Sequence, residues 1–495
     1  MKDLKRRVIR GGFAKLCGEA VGFVLRMASV VTMARLLDPK DYGLVAMVTA
    51  VTGVYELFTS AGLSMATVQR QIITDEQIST LFWINILVGT VLALLCLLTA
   101  PVLVRFYDEP RLFWVTVIAA TGFIINAAGV QHFALLERQL RFVALTAIER
   151  VSQLVSVIIG ITMASAGFGY WALVAAAMVA PAMATLCAWS ITSWIPGLPR
   201  RGVGIMSMLH FGGTVTLNGL IVYVAYNLEK VLLGRFWGAD TLGLYGRAYQ
   251  LIKIPTENLN SAIGGVAFSA LSRLQNDAPR FRNYFLKSYS FVNSVTLPIT
   301  MFCALFADDI VLLALGPKWT DAVPIFRLLS PTILIFGIIN PLGWLLLASG
   351  LQGRSLRIAL VIAPLVITAY VIGMPFGPSG VAFAYSAAMT VWLVPHILWC
   401  LHGTPISPGD LFLAISRPLL SAVVATAVTF GTNFYFSGWG PLLLTLIMDA
   451  SIMIIVYYTV LLFVMGQSAL YLTLFSGLRS SFRHGMEEAK ESSAS

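Results

Sequence analysis

Positive charge alternates from loop to loop along this chain, and that alternation constrains the fold more than any other feature. The segments Met1–Arg10, Arg70, Arg138/Arg141, Arg200/Arg201, Arg273–Lys287, Arg354/Arg357, Arg417 and Arg479–Lys490 carry about 20 of the 33 lysines and arginines. The intervening loops carry six: Arg35, Lys40, Arg105, Arg111, Arg235 and Lys318. The rest lie within apolar stretches. Short loops rich in Lys and Arg stay on the cytoplasmic side of a bilayer, so the pattern reads as a polytopic membrane protein with both termini in the cytoplasm. Composition agrees: 58% apolar residues, 11% charged residues and a mean hydropathy of +0.83 leave more apolar surface than a water-soluble core can hide.

A helix needs about 20 apolar residues to span a bilayer. Fourteen such stretches occur, at 13–36, 42–66, 78–104, 112–136, 144–166, 169–194, 205–234, 242–271, 284–307, 323–350, 356–374, 379–402, 411–435 and 440–466. An even number returns the chain to the side on which it began. The fold expected is therefore all-α. The net charge of +10 sits in short loops suited to anionic lipid headgroups, not clustered on one face as nucleic-acid binding requires. The first span carries Lys15, Glu19 and Arg26 and has no small-residue cleavage site, so it should stay attached. Cys17, Cys96, Cys187, Cys303 and Cys400 fall in five separate spans, which argues against disulfides and metal ligation and reads as small core residues.

The two halves resemble each other. Arg35 to Gly43-Leu44 recurs as Arg235 to Gly243-Leu244, an offset of 200 residues, and Leu135 to Arg141 recurs as Leu351 to Arg357. Six spans separate the matched points, so the repeats are parallel, and such repeats pack about an axis along the membrane normal with the substrate path between them. The organisation expected is an N-terminal six-helix lobe (1–200), a C-terminal six-helix lobe (201–404), two additional helices (405–470) and a cytoplasmic tail (471–495). Pro181, Pro255, Pro298, Pro331, Pro341 and Pro395 interrupt spans, and each frees a carbonyl that a neighbour or a wet cavity must satisfy.

Ionisable groups within spans cost roughly 2.5 to 3.5 kcal/mol each at mid-depth and face a bundle interior or a cavity. Lys15, Glu19 and Arg26 fall on one face of span 1, a polar stripe on a membrane helix. Glu56 and Glu257 sit near mid-depth in matching spans of the two halves, 201 residues apart. Lys253 lies four residues before Glu257 and can neutralise it. Asn227, Glu229 and Lys230 end span 7 near the level of Arg247, where Glu229 and Arg247 could bridge. Glu149 and Arg150 begin span 5 and read as interfacial, Asp449 lies outside the duplicated core, and Asp308-Asp309 reads as a solvated outer turn. No catalytic residue and no metal site is expected: the histidines lack partners at zinc spacing, and no phosphate loop is present.

These features together resemble the polysaccharide transporter branch of the multidrug/oligosaccharidyl-lipid/polysaccharide exporter superfamily, over nearly the whole chain. The residues that carry the resemblance are Gly11-Gly12 before a charged first span, the hinge Ala34-Arg35-Leu36-Leu37-Asp38-Pro39-Lys40-Asp41-Tyr42-Gly43, Gly62-Leu63, the run Asn227 to Arg235, Gly243-Leu244-Tyr245 and Arg247 to Leu251. Glu229 stands where the family often has Asp. The resemblance implies two six-helix lobes that rock around a central cavity, in the bacterial inner membrane, and a cargo of undecaprenyl-diphosphate-linked sugar repeats. It implies a transporter, not an enzyme, without a bound cofactor. Arg26, Lys253 and Arg247, with Asn227 and Lys15, are then the candidate cargo ligands, because charge-assisted bonds to phosphate are strong. Glu19, Glu56, Glu229 and Glu257 are the candidates to bind a coupling proton or sodium ion or to gate. Expected partners are the lipid-linked oligosaccharide, membrane lipids and polysaccharide polymerase or export machinery, with no nucleic acid. The alternatives are a cation-coupled drug exporter on the same scaffold and, from another class, a membrane glycan polymerase or ligase. The latter would need a sizeable outer loop, and none is visible.

Overall fold

The computed structural model describes residues 2–59, 67, 73–200, 206–436, 440–468 and 471. The sequence readings on Gly62, Leu63, Arg70, Arg201 and the tail beyond Tyr471 lie outside the described residues, as do the surroundings of Gly11 and Gly12. All regular elements among the described residues are helical. In chain order they are α1 (Lys2–Leu36), α2 (Pro39–Thr59), α3 (Asp75–Tyr107), α4 (Leu112–Arg138), α5 (Phe142–Ser165), α6 (Tyr170–Thr192) and α7 (Met206–Arg273). Then follow α8 (Ala278–Leu305), α9 (Ala307–Ala314), α10 (Val323–Leu329), α11 (Pro331–Ala348), α12 (Gln352–Gly373), α13 (Gly377–Leu401), α14 (Pro408–Phe436) and α15 (Leu442–Thr459).

Eleven segments among the described residues are long and apolar enough to cross a membrane, one of which, Gln352–Leu401, contains both α12 and α13. The two arms of α7 complete the fourteen spans. A straight helix of 68 residues would reach about 100 Å, three bilayer cores end to end. It is instead broken at Gly238, whose φ of +82° only glycine adopts readily. Span 10 departs from expectation. The stretch 323–350 reads as one span, yet it forms α10 and α11 with a joint at Ser330-Pro331. Proline lacks the N–H a continuous helix needs but suits the first turn of a new one, and hydropathy is blind to that difference.

The chain divides into two compact units, Met1–Gly243 and Leu244–Ser495. In the first, α3 and α4 approach closely because Gly89 meets Phe123 and Ala127 without a side chain between them. Leu92, Cys96, Ala120 and Phe123 fill that seam, and Leu136, Ile148 and Ala188 join α4, α5 and α6. In the second, Phe285 and Tyr289 of α8 pack with Leu342 and Leu345 of α11 and Leu411 of α14. The last two helices are seated on α8 as well, through Leu297, Ala422, Ala425, Met453 and Tyr457. Outward side chains such as Leu98, Phe376 and Val391 are more than two-thirds exposed, as lipid-facing residues should be.

The punctuation of the hinge has a local purpose. Pro39 opens α2 and Asp38 donates its N–H to Asp41 Oδ2 at 3.2 Å, closing a cap across that first turn. The other oxygen of Asp41 accepts from the Tyr170 N–H at 3.1 Å, tying the start of α2 to the start of α6. The repeated string also meets itself. A Cβ on Gly43 would collide with the backbone carbonyl of Ala239, and a Cβ on Gly243 would collide with that of Pro39.

Candidate functional site

Span 1 holds its charges against α5 by an arrangement that requires glycine. Gly18 and Gly22, one turn apart on α1, leave room for Thr146 and Arg150 of α5, and a Cβ at Gly22 would strike the Arg150 guanidinium. Gln153 Nε2 donates to the Gly22 carbonyl at 3.0 Å, and Arg150 Nη1 donates to Gln153 Oε1 at 2.9 Å. The Arg150 side chain is therefore threaded across span 1 and is only 18% exposed. Its Nη2 donates to Glu149 Oε2 at 3.0 Å and stands 3.9 Å from Glu19 Oε1, while Arg26 Nη2 stands 3.8 Å from Glu19 Oε2. Glu19 and Arg26 are each about half exposed, and Lys15 is exposed. Glu19 and Arg26 thus share a face of α1, and Arg150 joins them from α5, which spacing along one helix could not reveal. Its only trace in the sequence is the Gly18, Gly22 step facing a charged residue.

On α2, Gly53 admits the Tyr223 ring from the first arm of α7, whose hydroxyl donates to the Thr49 and Ala50 carbonyls at 3.1 and 3.3 Å. Glu56, which is exposed, and Glu229, which is buried, both lie within electrostatic reach of that hydroxyl. Two of the four candidate acids thus lie within electrostatic reach of a tyrosine that the sequence reading did not single out. One turn away Lys230 Nζ donates to Asn227 Oδ1 at 2.7 Å, and Asn227 Nδ2 donates to the Tyr223 carbonyl at 2.9 Å.

In the second unit Lys253 and Glu257 form the ion pair their spacing suggests, 2.9 Å apart with both side chains about half exposed. Lys253 Nζ also lies 5.9 Å over the Tyr249 ring. Arg247 donates to Gln250. Pro341 frees the Gly337 carbonyl, and Gly337 borders a chamber of about 10 Å³ with Thr256, Asn260, Thr296, Asn340 and Trp344, room for a single water.

The remaining candidates take structural places. Asp308 pairs with Arg327 of α10, and partial burial, Asp308 and Asp449 together hold the Asp309 carboxyl above its ordinary range. Asp449 is buried and accepts from Asn433 Nδ2 at 2.9 Å. His132 Nδ1 lies 2.7 Å from Thr192 Oγ1 and His396 meets Trp392, so both are core residues. Cys96 and Cys400 are buried, but Cys17 is exposed, which corrects its reading as a core residue. The half of span 1 that faces α5 was already filled by Gly18 and Gly22.

The chain is similar to several known proteins. Teichuronic acid biosynthesis protein TuaB of Bacillus subtilis is 27% identical over 397 residues, covering 76% of this chain and 79% of its own length. Lipopolysaccharide biosynthesis protein WzxC of Escherichia coli is 26% identical over 377 residues, covering 75% and 76%. Among solved structures, the lipid II flippase MurJ in an inward closed conformation superposes with a TM-score of 0.75 at 14% identity, over 94% of this chain and all of that one. An inward-facing multidrug resistance MATE transporter gives 0.62 at 12% identity, over 76% and 93%. At such identity these two establish the shared fold. The model of the polysaccharide biosynthesis protein family matches residues 32–324, well over half of the sequence, and the chain belongs to that family.

Proposed function

We propose that this protein flips an undecaprenyl-diphosphate-linked oligosaccharide repeat unit across the bacterial inner membrane, by alternating access, for exopolysaccharide or lipopolysaccharide assembly. The observation that carries this reading is the half-exposed guanidinium of Arg26 on a membrane-spanning helix, held beside Glu19 and Arg150. A charge kept inside a span at a cost of kilocalories faces a polar path, and two guanidinia on that path suit a diphosphate. Lys15, Lys253, Arg247 and Asn227 extend the same role. The biosynthetic roles in the names of TuaB and WzxC, and the flipping of a lipid-linked cargo in that of MurJ, support it.

In this reading the protein is a transporter and not an enzyme. Two six-helix lobes, 1–200 and 201–404, carry the transport cycle, helices in 405–470 are auxiliary, and both termini with the tail 471–495 are cytoplasmic. The acids around Tyr223, Glu56 and Glu229, with Glu19 and Glu257, take up a coupling proton or sodium ion or gate the path. On the outer side a polysaccharide polymerase or export complex receives the glycan. The test is reconstitution in liposomes with the lipid-linked repeat unit and a glycosidase outside to report translocation. Time-dependent cleavage that needs the protein supports the proposal. Efflux of a cationic dye without glycan flipping would make it a drug exporter, and lengthening of the glycan would make it a polymerase or ligase.

A further inference from the structure

Arg150 is not among the residues that spacing along span 1 assigns to cargo, yet the structure delivers it there. Two glycines are kept bare so that its side chain can cross α1, and Gln153 fixes both the guanidinium and the Gly22 carbonyl beside it. That is pre-organisation of a cation whose side chain is mostly buried. Opposite it lies Glu19, which splits its carboxylate: Oε1 faces Arg150 at 3.9 Å and Oε2 faces Arg26 at 3.8 Å. Neither separation is a hydrogen bond, since charge-assisted bonds between guanidinium and oxygen run to about 2.7 to 2.9 Å. Glu19 therefore neutralises both arginines without gripping either. Glu149 takes the one tight carboxylate bond to Arg150, at 3.0 Å.

We propose that Arg26 and Arg150 form a two-guanidinium clamp for the cargo diphosphate, and that Glu19 is its built-in, displaceable counter-anion. This rests on the flippase reading above and deepens it. A diphosphate has more charge and more acceptor oxygens than one carboxylate, and it reaches both forks at hydrogen-bonding distance, so it displaces Glu19. When the cargo leaves, Glu19 returns between the arginines, so that Arg26 regains its counter-charge and Arg150, which keeps Glu149, regains its second. Loaded and empty clamps are both compensated, so neither traps the cycle. Glu19 thus weakens ground-state binding in order to speed release.

The proposal is tested with Glu19→Gln, Arg150→Lys, Arg150→Ala and the double variant Glu19→Gln/Arg150→Ala. Binding of undecaprenyl diphosphate and undecaprenyl monophosphate is measured in lipid nanodiscs, and flipping of the lipid-linked repeat unit in liposomes. Glu19→Gln should bind the diphosphate about tenfold more tightly or better, as expected for relieving competition at charged hydrogen bonds, with an apparent KM that falls and a kcat that falls with it. Arg150→Ala should cancel the gain in the double variant, and Arg150→Lys should keep part of it, because charge persists while the fork is lost. The monophosphate should respond weakly to all four. Unchanged or weaker diphosphate binding by Glu19→Gln, or a gain that survives in the double variant, overturns the clamp while leaving the flippase reading standing. A wild-type protein that neither binds undecaprenyl diphosphate nor flips the repeat unit overturns both.

Discussion

Replacing Lys253 separates a structural ion pair from a cargo ligand, because the structure bounds what the pair can contribute to stability. Lys253 and Glu257 are 2.9 Å apart with side chains 49% and 64% exposed. Exposed pairs one helical turn apart contribute about 0.3 to 0.5 kcal/mol, and the order here, Lys before Glu, is the weaker one. The Tyr249 ring at 5.9 Å adds about 0.5 to 1 kcal/mol at an exposed site. Lys253→Ala should therefore lose no more than about 1.5 kcal/mol, a shift in Tm of roughly 3 to 6 °C for a lobe of this size. If the ammonium binds phosphate, the same change removes a charge-assisted bond of about 1.5 to 3 kcal/mol, and flipping falls roughly ten- to 150-fold. The charge-swapped Lys253→Glu/Glu257→Lys protein keeps the pair and moves the cation by one turn. Flipping in liposomes, Tm and membrane abundance are measured on the same preparations. Wild-type flipping by Lys253→Ala, or full flipping by the swapped protein, refutes a cargo role, as does a loss of flipping that only mirrors a loss of folded protein.

Gly43→Ala and Gly243→Ala each drive a Cβ into a backbone carbonyl that has nowhere to turn, so each should destabilise by about 1 to 3 kcal/mol from overpacking, less about 1 kcal/mol of helix propensity. Thermal unfolding of the double variant should show less than the sum, since one displacement relieves both clashes; full additivity would contradict a shared contact. Glu109 is held by Arg111 through twin bonds of 2.7 Å, which lower its carboxyl below the ordinary 4.5. A depressed acid stabilises the folded state above that ordinary value and loses the contribution as pH falls through the depressed one. Tm curves of wild type and Glu109→Gln should accordingly differ at neutral pH and converge in acid. Single cysteines near Arg70, Arg200 and Arg354 should react with an impermeant thiol reagent from the cytoplasm, and those near Lys40, Arg105 and Lys318 from outside; the reverse pattern would overturn the orientation.

What could be read from the sequence was what depends on one helix at a time. Apolar length located the spans, and the i, i+4 step from Lys253 to Glu257 located their pair. The recurrence of the Arg35 string at Arg235 located the duplication. What escaped depends on which helix lies beside which. Arg150 crosses Gly18 and Gly22 only because α5 packs on that face of α1, and Tyr223 comes within electrostatic reach of Glu56 only because α2 crosses the first arm of α7. The break at Ser330-Pro331 was legible only in part: Pro331 marks an interruption, but average hydropathy over 20 residues is nearly indifferent to one missing N–H and keeps 323–350 as a single span.

The paired glycines also bear on descent. Gly43 lies on Ala239 and Gly243 lies on Pro39, so positions 39 and 43 exchange roles with 239 and 243 at the spacing of the internal repeat. When residue i touches j and the copy of j touches the copy of i, the contact is isologous, the kind made by two identical chains about a two-fold axis. A fused protein has no need of such reciprocity, but a half-length ancestor that met its own copy through this glycine would have had no alternative. A substitution in one half alone breaks that reciprocity, because the same bare position serves both contacts.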